Sequence, residues 1–246
     1  MSIADKLTTI AENEQKVYDA GAKSEYDKFW DNIQNYGKQK SYQYLFGGRA
    51  WTPDTFKPKY SFNASDYRYA FWYFGDPNKP IDLLALEKEQ NITMRYKGVY
   101  TYTFAYANVT TVPTVDVSVG YGTPYLHCTF YNNNRVHTIE KIILYSDLDN
   151  HQFTEFLNTF TSATALKNIK FENLIGKTIS LGQSPLSVES AKNVIEHLVD
   201  YSETQYNMTY KLTLRYDVWT ALNNAEAPPS GDTWQLYVNS LGWNCA

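Results

Sequence analysis

The chain has 246 residues, with 22 basic and 26 acidic side chains, a formal charge of −4 and 43% hydrophobic residues. That balance excludes a disordered polymer and leaves no basic footprint for nucleic acid. The unusual figure is the aromatic content, 22 Tyr, 12 Phe and 6 Trp. Rings at this density serve as strand core and as contact surface, because tyrosine gives area at small entropic cost.

Residues 1–20 read as a helix with Ile3, Leu7, Ile10 and Val17 on one face. Ser24 caps a second helix whose apolar residues are Tyr26, Phe29, Trp30, Ile33 and Tyr36. Together, 1–36 form an expected N-terminal anchor or oligomerisation segment: a helix, a helical hairpin or a coiled coil. The polar stretch 37–43 marks its end.

From residue 44 an aromatic anchor recurs. Phe46, Phe74, Phe104, Phe130 and Phe160 stand 28, 30, 26 and 30 residues apart. Phe104 is followed by Val109, Val112, Val115 and Val117; Phe130 by Val136, Ile139, Ile142 and Leu144; Phe160 by Leu166, Ile169, Phe171 and Leu174. The Phe74 unit, with Ile81, Leu84 and Leu86, fits more loosely. A unit of this size cannot bury its apolar side alone, but a stack of such units buries a continuous core. The expected fold is an α+β repeat: an irregular leucine-rich-repeat solenoid over 44–186. Strands near Val115–Val117, Ile142–Leu144, Ile169–Phe171 and Leu212–Leu214 are expected side by side. An ordinary all-β or α+β domain is the alternative.

Residues 187–246 form an expected α/β cap. Ser187 caps an amphipathic helix carrying Ala191, Val194, Ile195, Leu198 and Val199. A strand follows over 208–214, then helices around 216–224 and 233–241.

Three stretches resemble the BspA-type leucine-rich-repeat proteins of gut Firmicutes and their phages and prophages. They are Ser2 to Gly21 with Glu25 to Asp31, then Trp51 to Tyr60, then the ending. The ending comprises Ala165 to Phe171, Ile175 to Lys177, Leu186 to Ser190, Lys211 to Leu214 and Leu241 to Asn244. The middle, about 80–150, matches in style alone, and the family's repeats of about 23 residues are stretched here. The resemblance implies a non-enzymatic protein of the virion, at the tail, that contacts a host cell-surface protein or glycan or other virion proteins. Residues 1–36 would mediate self-association. Outside a virion the expected location is the bacterial cytoplasm. The N-terminus lacks the apolar core of a signal peptide, and no apolar run approaches the roughly 18 residues of a membrane span. The competing readings are a carbohydrate-active enzyme with an aromatic cleft and an intracellular protein-binding adaptor.

No catalytic residue, cofactor or metal site is expected. Cys128 and Cys245 form no CxxC and read as free thiols. His127, His137, His151 and His197 include no pair at metal-binding helical spacing. Asp147-Leu-Asp-Asn150 opens like a calcium loop, but Gln152 and Asn158 stand where Gly and Glu are needed. The expected binding face is the set of strand neighbours that alternation turns outward: Thr114 and Asp116, Lys141 and Ile143, Asn168 and Lys170, Lys211 and Thr213. The rival location is the tyrosine loops, with Tyr96, Tyr100, Tyr102, Tyr121 and Tyr125.

Overall fold

The computed structural model describes residues 41–62, 64–94, 96–118, 126–203 and 210–246. The helices expected over 1–36 lie outside them. Its ordering principle is a seven-residue rung, which occurs at 42–48, 67–73, 100–106, 126–132 and 156–162. The first residue of each rung points inward: Tyr42, Tyr67, Tyr100, Leu126 and Phe156 are all buried. The fifth does the same with Phe46, Phe71, Phe104, Phe130 and Phe160, none more than 2% exposed. The third and seventh residues lie in the left-handed region. The third positions have φ of 59, 57, 55, 51 and 54° at Tyr44, Tyr69, Tyr102, Cys128 and Asn158. The seventh positions have 67, 50, 58, 50 and 59° at Gly48, Tyr73, Tyr106, Asn132 and Ser162.

The backbone explains this alternation. One N–H donates to the next rung, and the following N–H donates three residues back within its own rung. Tyr69 N donates to Thr101 O, Phe71 N to Thr103 O and Tyr73 N to Ala105 O. Between them, Ala70 N donates to Tyr67 O and Trp72 N to Tyr69 O. The pattern repeats from 102–106 to 127–131 and from 126–132 to 155–161. The amides of these steps thereby find carbonyls. The threonine before the buried phenylalanine completes the step. Thr103 Oγ1 donates to Tyr67 O at 2.8 Å and Thr159 Oγ1 to Leu126 O at 2.6 Å.

The phenylalanines form a column. Ring centroids lie 4.9 Å apart for Phe46–Phe71, 5.1 Å for Phe71–Phe104, 5.6 Å for Phe104–Phe130 and 5.7 Å for Phe130–Phe160. The expected anchor Phe74 is therefore replaced by Phe71. Phe74 is buried too, but it meets Phe71 edge-on at 5.0 Å.

Beside the rungs run short strands. In chain order they are β1 (Ile81–Asp82), β2 (Tyr96–Lys97), β3 (Tyr100–Thr101), β4 (Val109–Val112), β5 (Val115–Asp116), β6 (Leu126–His127) and β7 (Thr138–Ile143). There follow β8 (Ser146–Asp147), β9 (Gln152–Phe153), β10 (Asn168–Glu172), β11 (Ile179–Leu181), β12 (Lys211–Leu214) and β13 (Asn244–Cys245). The helices are α1 (Leu83–Gln90), α2 (Val188–Glu196), α3 (Tyr216–Ala225) and α4 (Trp234–Ser240). β4 and β5 are two parts of one run, and each pairs with a different stretch of β7. β1 and β2 pair with β4 and β5, and β10 pairs with β7. All these pairs are parallel and follow chain order, with Val112, Val115, Ile139, Ile142, Ile169 and Phe171 turned into the core.

Leu212–Leu214 departs from expectation. β12 pairs with β11 and β13 in a separate sheet, not with β10. The edge of β10 is closed by α2 instead, whose Ser190 Oγ and Asn193 Oδ1 accept from Ile169 N at 3.0 Å and Phe171 N at 2.7 Å. Ser187 caps α2 as its sequence implies. The second departure is α1, where the apolar spacing read as part of a strand unit. Leu-Leu-Ala-Leu-Glu-Lys-Glu-Gln consists of strong helix formers. Asp82 Oδ1 caps it by accepting from Ala85 N at 2.8 Å, and Asn91 ends it at φ 51°.

Asp66 ties the first two rungs. It accepts from Arg68 Nε at 3.0 Å, from Arg68 Nη2 at 2.7 Å and from Ser41 Oγ at 3.3 Å. Burial works to raise its carboxyl, but the bonds and charge of Arg68 overcome this and hold it below 3.8. A lowered folded pKa contributes stability above the ordinary value, and that stability is lost as pH falls through the folded one. In acid titrations followed by circular dichroism, the wild-type chain should lose stability below about pH 4 more steeply than Asp66→Asn. Equal slopes would show that the Asp66–Arg68 pair contributes nothing.

Candidate functional site

The left-handed positions turn their side chains out of the stack, and in the first three rungs most are tyrosine. Tyr44, Tyr69 and Tyr102 form one row, with centroids 4.7 and 5.3 Å apart and planes within 11°. Tyr73 and Tyr106 form a second row, stacked at 4.5 Å, and Tyr131 meets Tyr106 edge-on at 5.7 Å. Trp72 bridges the rows, 6.1 Å from Tyr69 and 4.7 Å from Tyr73. Tyr44 and Tyr73 are 53% and 48% exposed, and the others are half-buried by one another. Arg68 lies at the edge of the first row, its charge held by its hydrogen bonds and ion pair with Asp66. The result is a continuous aromatic face that shows ring edges and hydroxyls to solvent.

The phenols of Tyr102 and Tyr106 are held in their protonated form. Tyr102 is pushed up to about 12, first by its hydrogen bond to the Cys128 thiol and next by the charge of that group. Tyr106 is raised by partial desolvation and by its neighbours Tyr131 and Tyr73. These two therefore offer neutral donors and acceptors on an apolar body.

Backbone geometry alone does not call for tyrosine here. A left-handed residue with a side chain costs roughly 1–2 kcal/mol, and glycine or asparagine meets the need more cheaply. Gly48, Asn132 and Asn158 do so elsewhere in the same register. A stacked pair returns about 0.5–1.5 kcal/mol, so tyrosine at five such positions is near break-even for stability. Stability alone therefore does not account for tyrosine at these exposed, strained positions.

The expected stripe is divided. Lys141, Ile143, Asn168 and Lys170 do lie together on the outer side of β7 and β10. Their lysines are paired, Lys141 with Glu172 at 2.5 Å and Lys170 with Glu189 at 3.2 Å, so the stripe is not a cationic surface. Thr114, half-buried, sits beside Glu140 at 3.5 Å. Asp116 contradicts its expected outward position. It is fully buried between the inward Val115 and Val117, and its Oδ1 accepts from Ser118 N at 3.0 Å. Lys211 and Thr213 belong to the separate sheet with β11.

The tyrosine loops are also divided. Tyr100 is fully buried against Tyr67, with rings 5.7 Å apart, because it takes the inward first position of its rung. Tyr102, two residues on, is on the aromatic face. Tyr121 and Tyr125 lie outside the described residues; Tyr96 stands in β2. Sequence reasoning missed Tyr44, Tyr69, Trp72, Tyr73, Tyr106 and Tyr131. The available signal was tyrosine two residues before and after the buried phenylalanine, as in Tyr69-Ala-Phe71-Trp-Tyr73 and Tyr102-Thr-Phe104-Ala-Tyr106.

Among the described residues there is no cluster of His, Cys, Asp and Glu able to hold a metal, and no helix long and apolar enough to cross a membrane. Replacing Tyr73 by glycine should leave stability within about 1 kcal/mol of wild type in urea unfolding, because relief of left-handed strain offsets the lost ring pair. A loss above about 2 kcal/mol would make Tyr73 a structural residue. No protein-family model, curated protein or solved structure matches this chain.

Proposed function

We propose that the chain is a non-enzymatic binding protein: an irregular solenoid of leucine-rich-repeat type that presents its tyrosine face to a host cell-surface protein or glycan. The observation that carries this reading is the pair of outward tyrosine rows held in left-handed conformation beside the phenylalanine column. Tyrosine and tryptophan are enriched where proteins meet other molecules, since the ring supplies area and the hydroxyl supplies a bond with few rotors to freeze. The resemblance of residues 2–31, 51–60 and the ending to BspA-type proteins supports placing the chain in a phage virion, at the tail, with 1–36 as the attachment segment.

The test compares labelled full-length chain with two triple variants on intact gut Firmicutes cells and on their purified wall glycans. Tyr44→Ser, Tyr73→Ser and Tyr106→Ser together should weaken binding at least about tenfold, the effect of losing one or more aromatic contacts. Lys141→Glu, Lys170→Glu and Lys211→Glu together should leave it within about twofold, since paired rim charges contribute little. Loss with the lysine variant and retention with the tyrosine variant would move the site to the β7–β10 stripe. Absence of binding by the wild-type chain to either target would sink the host-surface reading.

A further inference from the structure

The second tyrosine row lacks its first member. The seventh rung position holds Tyr73, Tyr106, Asn132 and Ser162, but Gly48 in the first rung. The sixth position differs in the same way, with Trp72 in the second rung and Gly47 in the first. The left-handed backbone does not demand glycine at 48, since its equivalents carry side chains at similar φ. Gly48 is exposed, and a Cβ there would meet no atom within 4 Å. The space above it is open.

That space borders the ring of Tyr73. Tyr106 covers one face of this ring, at 4.5 Å with planes 6° apart. Trp72 stands beside it at 4.7 Å and nearly perpendicular, at 77°. Among the described residues no ring stacks on the other face, and Tyr73 is 48% exposed. In the first row the corresponding place is filled, because Tyr44 stacks on Tyr69 at 4.7 Å. The second row therefore ends in a notch one layer deep, with Gly47 and Gly48 as its floor and Tyr73 as its wall.

We propose that this notch binds one sugar ring of a neutral glycan, stacked on the open face of Tyr73. The inference rests on the tyrosine face being the binding face, and it selects the glycan over the protein partner. An aromatic face is the negative pole of the ring quadrupole and attracts positively polarised C–H groups. A pyranose carries such groups on its flat face and hydroxyls around its rim. It continues the row by one layer, and its rim pairs with phenol hydroxyls as donor or acceptor. A phenylalanine from a partner protein would fill the layer too, but would bring a C–H rim to those hydroxyls. The glycine floor lets the ligand approach the backbone closely. A neutral sugar fits the charges nearby. Arg68 is held by Asp66 at 2.7 Å, and the Arg49 guanidinium lies over the Trp51 ring at 5.9 Å.

The test is an NMR titration of the full-length chain, labelled on its tyrosine rings. The probes are cellohexaose, the hexasaccharide of N-acetylglucosamine and a neutral galactan oligosaccharide. At least one should shift the Tyr73 ring signals saturably. Gly48→Tyr supplies the missing ring and should weaken that binding at least about tenfold, with the Phe71–Phe104 ring contact unchanged. If Gly48→Tyr disturbs that contact, Tyr73→Ser takes its place, with the same loss expected. The proposal is overturned if no probe shifts Tyr73 at millimolar concentration, or if the binding survives the variant. Cell binding that the tyrosine triple variant abolishes, with no Tyr73 shift by any probe, overturns this inference alone. Cell binding that the triple variant leaves intact overturns the reading on which it rests.

Discussion

The backbone hydrogen bond passed from one rung to the next governs the rest of this structure. A donor is aimed at the neighbouring rung at every second residue, and the intervening donor bends back within its own rung. That alternation forces left-handed residues four apart and sends the fifth side chain inward. A large ring in that place then meets its counterpart one rung away. The phenylalanine column is the consequence, and the tyrosine rows are its complement on the outside. Dispersion between well-packed rings adds to the ladder, but the ladder sets where the rings stand.

The ladder also explains where the chain departs from regular repetition. Spacings between equivalent phenylalanines are 25, 33, 26 and 30 residues, yet the rungs themselves keep seven residues. Length variation is taken up between rungs, most visibly by α1, which packs against β4 and has Leu83 and Leu86 buried. One glycine is dictated by a close approach. At Gly98, φ is 153°, and a Cβ would overlap the Ser65 carbonyl, which accepts from Val99 N. After the fifth rung the requirement lapses. β11 to β13 and the last two helices build a cap whose Trp219, Trp234 and Trp243 extend the same core, and Trp243 Nε1 donates to Val199 O at 2.8 Å.

Phe104, Phe130 and Phe160 were legible in the sequence because each stands in a short polar-flanked run with an apolar strand following. Phe74 was a misreading because Phe71 and Phe74 lie three residues apart and both are buried; only the hydrogen-bond register separates them. Strand alternation placed Ile139, Ile142, Ile169 and Phe171 inward, as observed, but failed at Asp116, which is buried along with Val115 and Val117 and is held by Ser118. The expectation of an exposed tyrosine loop failed at Tyr100, which takes the inward first position of its rung. The tyrosine face was hidden as well. Its members alternate with buried phenylalanines inside what reads as a uniform aromatic run, and sequence gives no φ. The cap helices were the clearest part, because Ser187 and Thr233 announce their starts.

The most direct measurement of the central claim is ring-to-ring nuclear Overhauser contact in a sample labelled on phenylalanine and tyrosine. The account predicts contacts from Phe71 to Phe104, Phe104 to Phe130 and Phe130 to Phe160, and from Tyr44 to Tyr69 and Tyr69 to Tyr102, with none between Phe71 and Phe130. Contacts from Phe74 to Phe104 in place of Phe71, or a Tyr69 ring that meets the phenylalanines and not its tyrosine neighbours, would contradict it.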